Sequence, residues 1–203
     1  ASGGAVRDLE LNQLCGVTPD IALKHPNWSM GKKITVDSAT MMNKGLEIIE
    51  ASHLFGVKAD NIDCVLHPQS IIHSLAEFDD NSVLAQLSYP DMALPIQYAF
   101  TYPERCATAL KPLNLIDIGK LEFKQIDEKK YPVLKLAYQA LKVDGAYPAV
   151  LNFANEIAVD LFLNGKILFT DIYKIIEKSL ENTDGGIKLK PENILYIYER
   201  TKN

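Results

Sequence analysis

The spacing of apolar residues changes along the chain and predicts two regions of different character. In the first region, Met41–Phe55 places Leu46, Ile49 and Leu54 near one face of a helix, and Gly56 follows as a C-cap. Short apolar or β-prone runs predict strands over residues 33–36, 62–66, 72–78 and 83–89. The last two strands flank Asp-Asp-Asn and form a hairpin. We therefore expect a small sheet covered by helices.

The second region has helical spacing throughout. It predicts helices over residues 132–142, 148–163, 171–181 and 191–202, with glycines in the breaks between them. Residues 102–127 have no period and carry scattered prolines, which indicates an extended linker. The predicted fold is α+β: a first domain over residues 1–101, the linker over 102–127, and a C-terminal four-helix bundle over 128–203.

Composition and charge narrow the classes of protein and partner. The 203 residues are 47% hydrophobic and 23% charged, which excludes a disordered chain. The chain has 21 basic and 26 acidic residues, so it has no excess of positive charge to neutralise the phosphates of a nucleic acid partner. No apolar stretch is long enough to span a membrane, and Cys15, Cys64 and Cys106 are too widely spaced for a disulfide framework. We expect a cytoplasm-like compartment with reduced thiols.

Polar residues around the start of the predicted helix form a candidate phosphate site. Ser38 lies just upstream of that helix, and Asn43 and Lys44 lie in its first turn. Free backbone N–H groups and the helix dipole favour an anion there, and the lysine adds a positive charge. The alternative is an ordinary capped helix with a solvated lysine. Ser2 precedes two glycines and offers a hydroxyl to an anion, but a glycine pair alone is weak evidence, because linkers have the same pattern.

Two further groups of residues are candidates for chemistry. Glu47 and Glu50 are three positions apart on the predicted helix, where they either bind a hard cation or form solvated surface. The segment from His25 to Gly31 contains Trp28, the single tryptophan, and is either a flap over a ligand or a loop pinned by a packed aromatic ring.

Two histidines follow the predicted strand over residues 62–66. His67 and His73 are six positions apart, which is not a zinc-binding spacing. Each is either a structural histidine or a group placed at a strand end for proton transfer or anion binding.

Five stretches together resemble the 1-deoxy-D-xylulose 5-phosphate reductoisomerase family, and they extend over nearly the whole chain. They are ASGGAVRD from Ala1, HPNWSMGKKITVDSATMMNKGLEIIEA from His25, HPQSIIHSLAEF from His67, PDMALPIQYA from Pro90 and DGAYPAVLNFANEIAV from Asp144. The resemblance implies an enzyme of non-mevalonate isoprenoid biosynthesis. It would rearrange deoxyxylulose phosphate and reduce the product to methylerythritol phosphate, using NADPH and Mg²⁺ or Mn²⁺.

The resemblance also implies roles for individual residues. It implies that substrate is bound by Ser2, His25, Trp28, Ser38, Asn43, Lys44 and Glu47. It implies that the catalytic residues are His25, Lys44, Glu47 and His73. It implies that the metal is held by Glu47 with Glu50 beside it, and that the cofactor is contacted by Met30, Gly31 and Met92.

The sequence departs from the family pattern in three respects. It contains no G-x-G-x-x-G segment of an NADPH-binding domain and no Asp-x-Glu pair before ASGG, and Ala93 stands where the family has arginine. Since the chain begins at Ala1 without a methionine, we expect a truncated form that is inactive alone.

The family resemblance further implies a homodimer, with the strand over residues 83–89 as a candidate edge for the contact. The alternative function is a non-catalytic module for phosphate binding and dimerisation. We expect a bacterial cytoplasm, with a plastid-type organelle as the alternative compartment.

Overall fold

The computed structural model describes residues 1–202, which form an α+β fold that is mainly helical. The helices are α1 (Pro19–Ala22), α2 (Lys32–Thr40), α3 (Met42–Phe55), α4 (Ala93–Thr101), α5 (Leu115–Ile118), α6 (Val133–Val143), α7 (Tyr147–Leu163), α8 (Phe169–Glu181) and α9 (Ile194–Lys202). Short 3-10 turns span Leu11–Gly16, Ala59–Asn61 and Pro191–Asn193. The strands are β1 (Ile72–Glu77) and β2 (Val83–Leu87). The predicted α+β class is confirmed.

The predicted hairpin is confirmed as an antiparallel pair of β1 and β2. Ile72 lies opposite Leu87 and Leu75 opposite Ala85, with a register irregularity near the start of β1. Asn81 adopts a positive φ of 65° in the turn, a conformation that asparagine tolerates well. Most side chains of both strands are exposed in this chain.

Two predicted strands are wrong. Residues 33–36 lie inside α2, because Val36, Ala39 and Thr40 recur at helical spacing and are buried against the core. This tertiary packing overrides the strand preference of the β-branched residues. Residues 62–66 are largely irregular, and Leu66 pairs with Lys124 through an isolated bridge.

The C-terminal helices pack around α7, which contacts α6, α8 and α9. Leu151 and Phe162 of α7 are fully buried there, together with Ile172 and Ile176 of α8. All four predicted C-terminal helices are confirmed to within a few residues at their ends. No helix within residues 1–202 is both long and apolar enough to cross a bilayer.

The hydrophobic core continues from the C-terminal helices into the first half of the chain. Helix α3 packs on α6, where a Cβ added at Gly45 would lie 2.9 Å from the Cβ of Ala137. One cluster of buried side chains therefore includes Met42 and Ile48 of α3 as well as Leu151 of α7. The division at residues 101 and 127 stays a prediction, and this shared core joins the segments on either side of it.

Candidate functional site

A tight elbow between α2 and α3 places the candidate phosphate-binding residues. Met41 joins the two helices in the left-handed conformation, with φ 63°, and its side chain is buried. The Thr40 hydroxyl donates to the Asp37 carbonyl and accepts from the Met42 N–H. Ser38 lies just upstream of α3, as predicted, and belongs to the last turn of α2.

The Ser2–Gly4 segment packs directly against this elbow. Gly4 has φ 59°, and a Cβ added there would lie 2.6 Å from backbone atoms of Ser38 and Ala39. Because real Cβ atoms essentially never come so close, a glycine is required for the two backbones to touch. This contact brings Ser2 and Ser38 to the same cavity.

His25 connects the Ser2 hydroxyl to the predicted flap. Its Nδ1 accepts from the backbone N–H groups of Asn27 at 3.1 Å and Trp28 at 2.9 Å. The proton is therefore assigned to Nε2, which donates to the Ser2 hydroxyl 3.1 Å away. Burial and the nearby Arg7 guanidinium lower the pKa of His25, which favours this neutral form. In this arrangement Nε2 of His25 donates to Ser2, and the lone pair on Nδ1 accepts hydrogen bonds from the flap backbone.

The flap lies over the segment that leads into the hairpin. The indole N–H of Trp28 donates to the Ser70 hydroxyl at 3.3 Å, and its ring meets the edge of His73 at a centroid distance of 6.3 Å. Asn27 adds a 2.7 Å hydrogen bond to the Pro68 carbonyl. The contacts of the indole are thus with polar groups at the cavity rim, and Trp28 itself is half-buried.

The two histidines after residue 66 have different surroundings. His67 is buried, its Nδ1 lies 2.9 Å from the Glu122 carbonyl, and its Nε2 accepts from the Ile71 N–H. Both ring nitrogens are engaged by backbone, and the ring stacks on Phe123, which are the features of a structural histidine. His73 is exposed and lines the cavity, with Nε2 3.1 Å from the Ser88 carbonyl.

Glu47 is held by its neighbours on α3. The Asn43 amide donates to Oε1 at 2.7 Å, and the Lys44 ammonium lies 2.5 Å from Oε2. Both carboxylate oxygens already have partners within the first turns of the helix. The Lys44–Glu47 pair lies at the cavity wall, where an incoming anion and an incoming cation would compete for its two members.

The residues that the structure describes do not by themselves build a divalent metal site. Glu50 is exposed and does not belong to the described lining of the cavity, because three residues of helix turn it about 60° away from Glu47. Within residues 1–202, no group of three or more His, Cys, Asp or Glu side chains is placed to hold a metal ion. Glu47 alone is therefore too few ligands for Mg²⁺ or Mn²⁺.

Most of the predicted site residues meet at one cavity of about 1170 Å³. The predicted residues that line it are Ser2, His25, Trp28, Met30, Ser38, Asn43, Lys44, Glu47, His73 and Met92. Gly31 and Glu50 are outside the described lining. The role of each residue stays a prediction, whereas their common location is a property of the fold.

Two other residues at this cavity were not predicted from the sequence. Arg105 and Tyr98 both line it, and the Arg105 guanidinium lies 3.8 Å from the centre of the Tyr98 ring. Arg105 follows α4 in the irregular segment, where no periodic pattern marks which side chains face inward. Arg105 stands two residues after the Tyr102–Pro103 pair, and no motif there would have identified it.

Comparisons with known proteins agree with this geometry. Residues 87–203 match the profile of the DXP reductoisomerase C-terminal domain, and residues 1–55 match that of the 1-deoxy-D-xylulose 5-phosphate reductoisomerase C-terminal domain. The chain is 57% identical over 199 residues to 1-deoxy-D-xylulose 5-phosphate reductoisomerase from Prochlorococcus marinus subsp. pastoris, covering 97% of this chain and 49% of that protein. It is 60% identical over 192 residues to the Synechocystis enzyme of the same name, covering 95% and 49%.

Solved structures of similar proteins give the same result. The reductoisomerase from Zymomonas mobilis in complex with NADPH superposes with a TM-score of 0.92 at 42% identity, covering all of this chain and 52% of that one. A DOX-P reductoisomerase in complex with NADPH, fosmidomycin and magnesium gives 0.93 at 44% identity, with the same coverage. The chain spans about half the length of the relatives that it matches. By these matches the chain belongs to the 1-deoxy-D-xylulose 5-phosphate reductoisomerase family.

Proposed function

We propose that this chain forms the substrate-binding part of an enzyme that converts 1-deoxy-D-xylulose 5-phosphate to 2-C-methyl-D-erythritol 4-phosphate. The reaction uses NADPH and Mg²⁺ or Mn²⁺ and belongs to non-mevalonate isoprenoid biosynthesis. One observation carries the proposal: anion-binding groups from three separate segments line one cavity beside a tryptophan flap. These groups are Ser2, His25, Ser38, Asn43 and Lys44.

The substrate phosphate is the group that this corner of the cavity suits. Lys44 supplies the positive charge, and the hydroxyls of Ser2 and Ser38 supply neutral hydrogen bonds. Because His25 donates to the Ser2 hydroxyl, that hydroxyl can direct its own proton toward a phosphate oxygen. The phosphate does not react, so its binding energy is available to orient the sugar and to close the flap.

The flap is proposed to exclude water from the reacting carbons. Trp28 and Met30 bring apolar surface to the cavity, and the hydrogen bonds of His25 connect the flap backbone to the Ser2 hydroxyl at the phosphate-binding side. Met92, just before α4, lines the same cavity and is the proposed contact for the nicotinamide. NADPH, when bound, supplies the hydride for the reduction. The chain's own contribution is to bind, orient and shield the substrate.

A metal would take one oxygen ligand from this chain, at Glu47. The other carboxylates would come from the Asp-x-Glu pair that the family carries before its ASGG segment. Lys44 would be drawn toward the substrate phosphate and so release Oε2 of Glu47 for the metal. This exchange makes Glu47 a proposed link between phosphate binding and metal binding.

The second candidate function is a non-catalytic module for phosphate binding and dimerisation. The observation in its favour is that residues 1–202 bring the proposed phosphate-binding groups to one cavity but contain no group of three or more metal-ligating side chains. In both functions we propose a homodimer, with β2 contributing an edge strand whose side chains are largely exposed in the single chain.

The first test is NADPH oxidation, followed by absorbance, with the 203-residue chain, deoxyxylulose phosphate and Mn²⁺. We expect no turnover above background from the chain alone, and restored turnover when a relative's N-terminal half is added. In the restored mixture, Glu47→Gln should abolish turnover, while the matched change Glu50→Gln on the same helix should preserve most of it. Turnover by the chain alone would contradict the expected inactivity.

Two other results separate the candidate functions. A chain that binds inorganic phosphate but never gains activity with the N-terminal half would support the non-catalytic module. A chain that binds neither phosphate nor fosmidomycin would contradict both functions, because both depend on the same anion corner.

A further inference from the structure

A buried polar pair connects α7 to α2 next to the phosphate corner. The Asn155 amide nitrogen donates to Oδ1 of Asp37 at 2.9 Å, and the two residues are 118 positions apart in the sequence. Asn155 is completely buried, and Asp37 is 2% exposed. The other carboxylate oxygen of Asp37 pairs with the Lys33 ammonium at 2.8 Å.

Only one of the two polar atoms in the Asn155 side chain has a hydrogen-bond partner among the described residues. Its Oδ1 is buried and has no hydrogen-bond partner among the described residues. A buried oxygen without a donor is a cost to folding, and the hydrogen bond from the same side chain to the buried Asp37 carboxylate must offset it. The benefit of Asn155 must then come from its amide N–H groups, which meet Asp37.

Hydrogen bonds connect Asp37 to the elbow between α2 and α3. Asp37 directly precedes Ser38, and its carbonyl accepts from the Thr40 hydroxyl at 3.3 Å. That hydroxyl accepts in turn from the Met42 N–H at 3.2 Å, at the start of the helix that carries Asn43 and Lys44. The backbone of Asp37 is therefore hydrogen-bonded into the elbow, while its buried side chain is held by Asn155 and Lys33.

A second contact from the C-terminal part holds the opposite side of the same corner. The hydroxyl of Tyr131, just before α6, donates to the Gly3 carbonyl at 3.2 Å across 128 positions of sequence. Tyr131 is buried, and burial raises its pKa, so the hydroxyl keeps its proton at neutral pH. Gly3 lies between Ser2 and the glycine that packs on the α2 backbone.

We propose that Asn155 and Tyr131 are positioning residues that set the spacing between Ser2 and Ser38 for the phosphate. Neither residue lines the described cavity. Tyr131 acts through the backbone of Gly3, which does line it, and Asn155 acts through Asp37, the residue directly before Ser38. This inference rests on the proposed function, because it concerns the same anion corner. It gives the C-terminal helices a role in substrate binding, although the two hydrogen bonds involved span more than a hundred residues of sequence.

The test measures inorganic phosphate affinity of the 203-residue chain by titration of backbone amide NMR signals. Asn155→Leu and Tyr131→Phe should each weaken phosphate binding about 5- to 30-fold, the effect of losing one or two kcal/mol. Both should shift the amide signals of Ser38 or Gly3 before any phosphate is added. Tyr147→Phe is the matched control, since Tyr147 also donates to a backbone carbonyl at 3.2 Å, that of Thr183. It should leave the phosphate affinity within about twofold of the parent.

A reciprocal exchange separates positioning from general loss of stability. Asp37→Asn and Asn155→Asp should each weaken phosphate binding, whereas the double variant restores an amide–carboxylate pair and should recover most of the affinity. A double variant no better than the weaker single variant would refute the inference, and so would unchanged affinity in both Asn155→Leu and Tyr131→Phe. A parent chain that binds no phosphate would instead refute the proposed function and this inference together.

Discussion

Replacing Gly4 by alanine tests how closely the Ser2–Gly4 segment must approach α2. The new Cβ would lie 2.6 Å from backbone atoms of Ser38 and Ala39, against 3.4 Å for an ordinary contact, so one backbone must move by about 0.8 Å. Such overpacking costs about 1–3 kcal/mol. An alanine held at φ 59° adds about 1–2 kcal/mol. We therefore expect Gly4→Ala to lower the free energy of unfolding by about 2–5 kcal/mol.

Gly56→Ala is the matched control for the backbone part of this cost. Gly56 ends α3 at φ 65°, and a Cβ there would meet no described atom within 4 Å. Its replacement should therefore cost only the conformational penalty of about 1–2 kcal/mol. Urea unfolding of the parent and both variants measures the difference, which we expect to be about 1–3 kcal/mol.

Phosphate affinity gives the second readout for the same pair of variants. Gly4→Ala should weaken inorganic phosphate binding about fivefold, because a hydroxyl displaced by most of an ångström loses one hydrogen bond. Gly56→Ala should leave the affinity unchanged. Equal unfolding free energies for the two variants, together with equal phosphate affinities, would refute the close contact between the Ser2–Gly4 segment and α2.

Two further predictions concern charge at the site. Lys44→Met should weaken phosphate binding about 10- to 100-fold in calorimetric titration, because one hydrogen bond from a charged donor is lost. The control Lys174→Met breaks a similar i,i+3 ion pair on α8 and should leave the phosphate affinity unchanged. Because the pKa of His25 is lowered from its ordinary value of 6.5, the unfolded chain takes up a proton first as pH falls. Stability should then be lost between pH 6.5 and the lower pKa of the folded state. Trp28 emission should shift to the red as pH falls through the lower pKa of His25 in the folded state, because protonated Nδ1 no longer accepts from the flap backbone. The shift should also occur in a His73→Asn background, and an unchanged spectrum would contradict the hydrogen bonds between the flap and His25.

The sequence predicted best those elements whose signals are local. The hairpin has a turn between two apolar runs, and the helices α3 and α6–α9 have apolar residues at helical spacing, so the nearest neighbours in sequence determine their type. The failure at residues 33–36 arose because three β-branched residues in a row favour a strand locally. Burial of Thr35 and Val36 against the core, which depends on residues far away in sequence, decides in favour of a helix.

Most of the residues predicted for the site line one cavity, but the contacts that hold them there were not predicted. The resemblance identified Ser2, Ser38 and Lys44, and the structure brings them to one cavity. It gave no reason to choose Asn155 or Tyr131, because each reaches the site through a single hydrogen bond that spans more than a hundred residues. Contacts of this kind leave no periodic or motif signal in one sequence.

The continuous core has a consequence for how this site comes into being during folding. The contacts that shape the phosphate corner close loops of 118 and 128 residues, so their entropic cost is met only after most of the chain has condensed. A binding-competent corner should thus be a late product of folding rather than a property of the first hundred residues. By mass action, phosphate at 100 times its Kd would then stabilise the entire cooperative unit by about 2.7 kcal/mol. Ligand and C-terminal helices would in this way protect each other from unfolding and proteolysis.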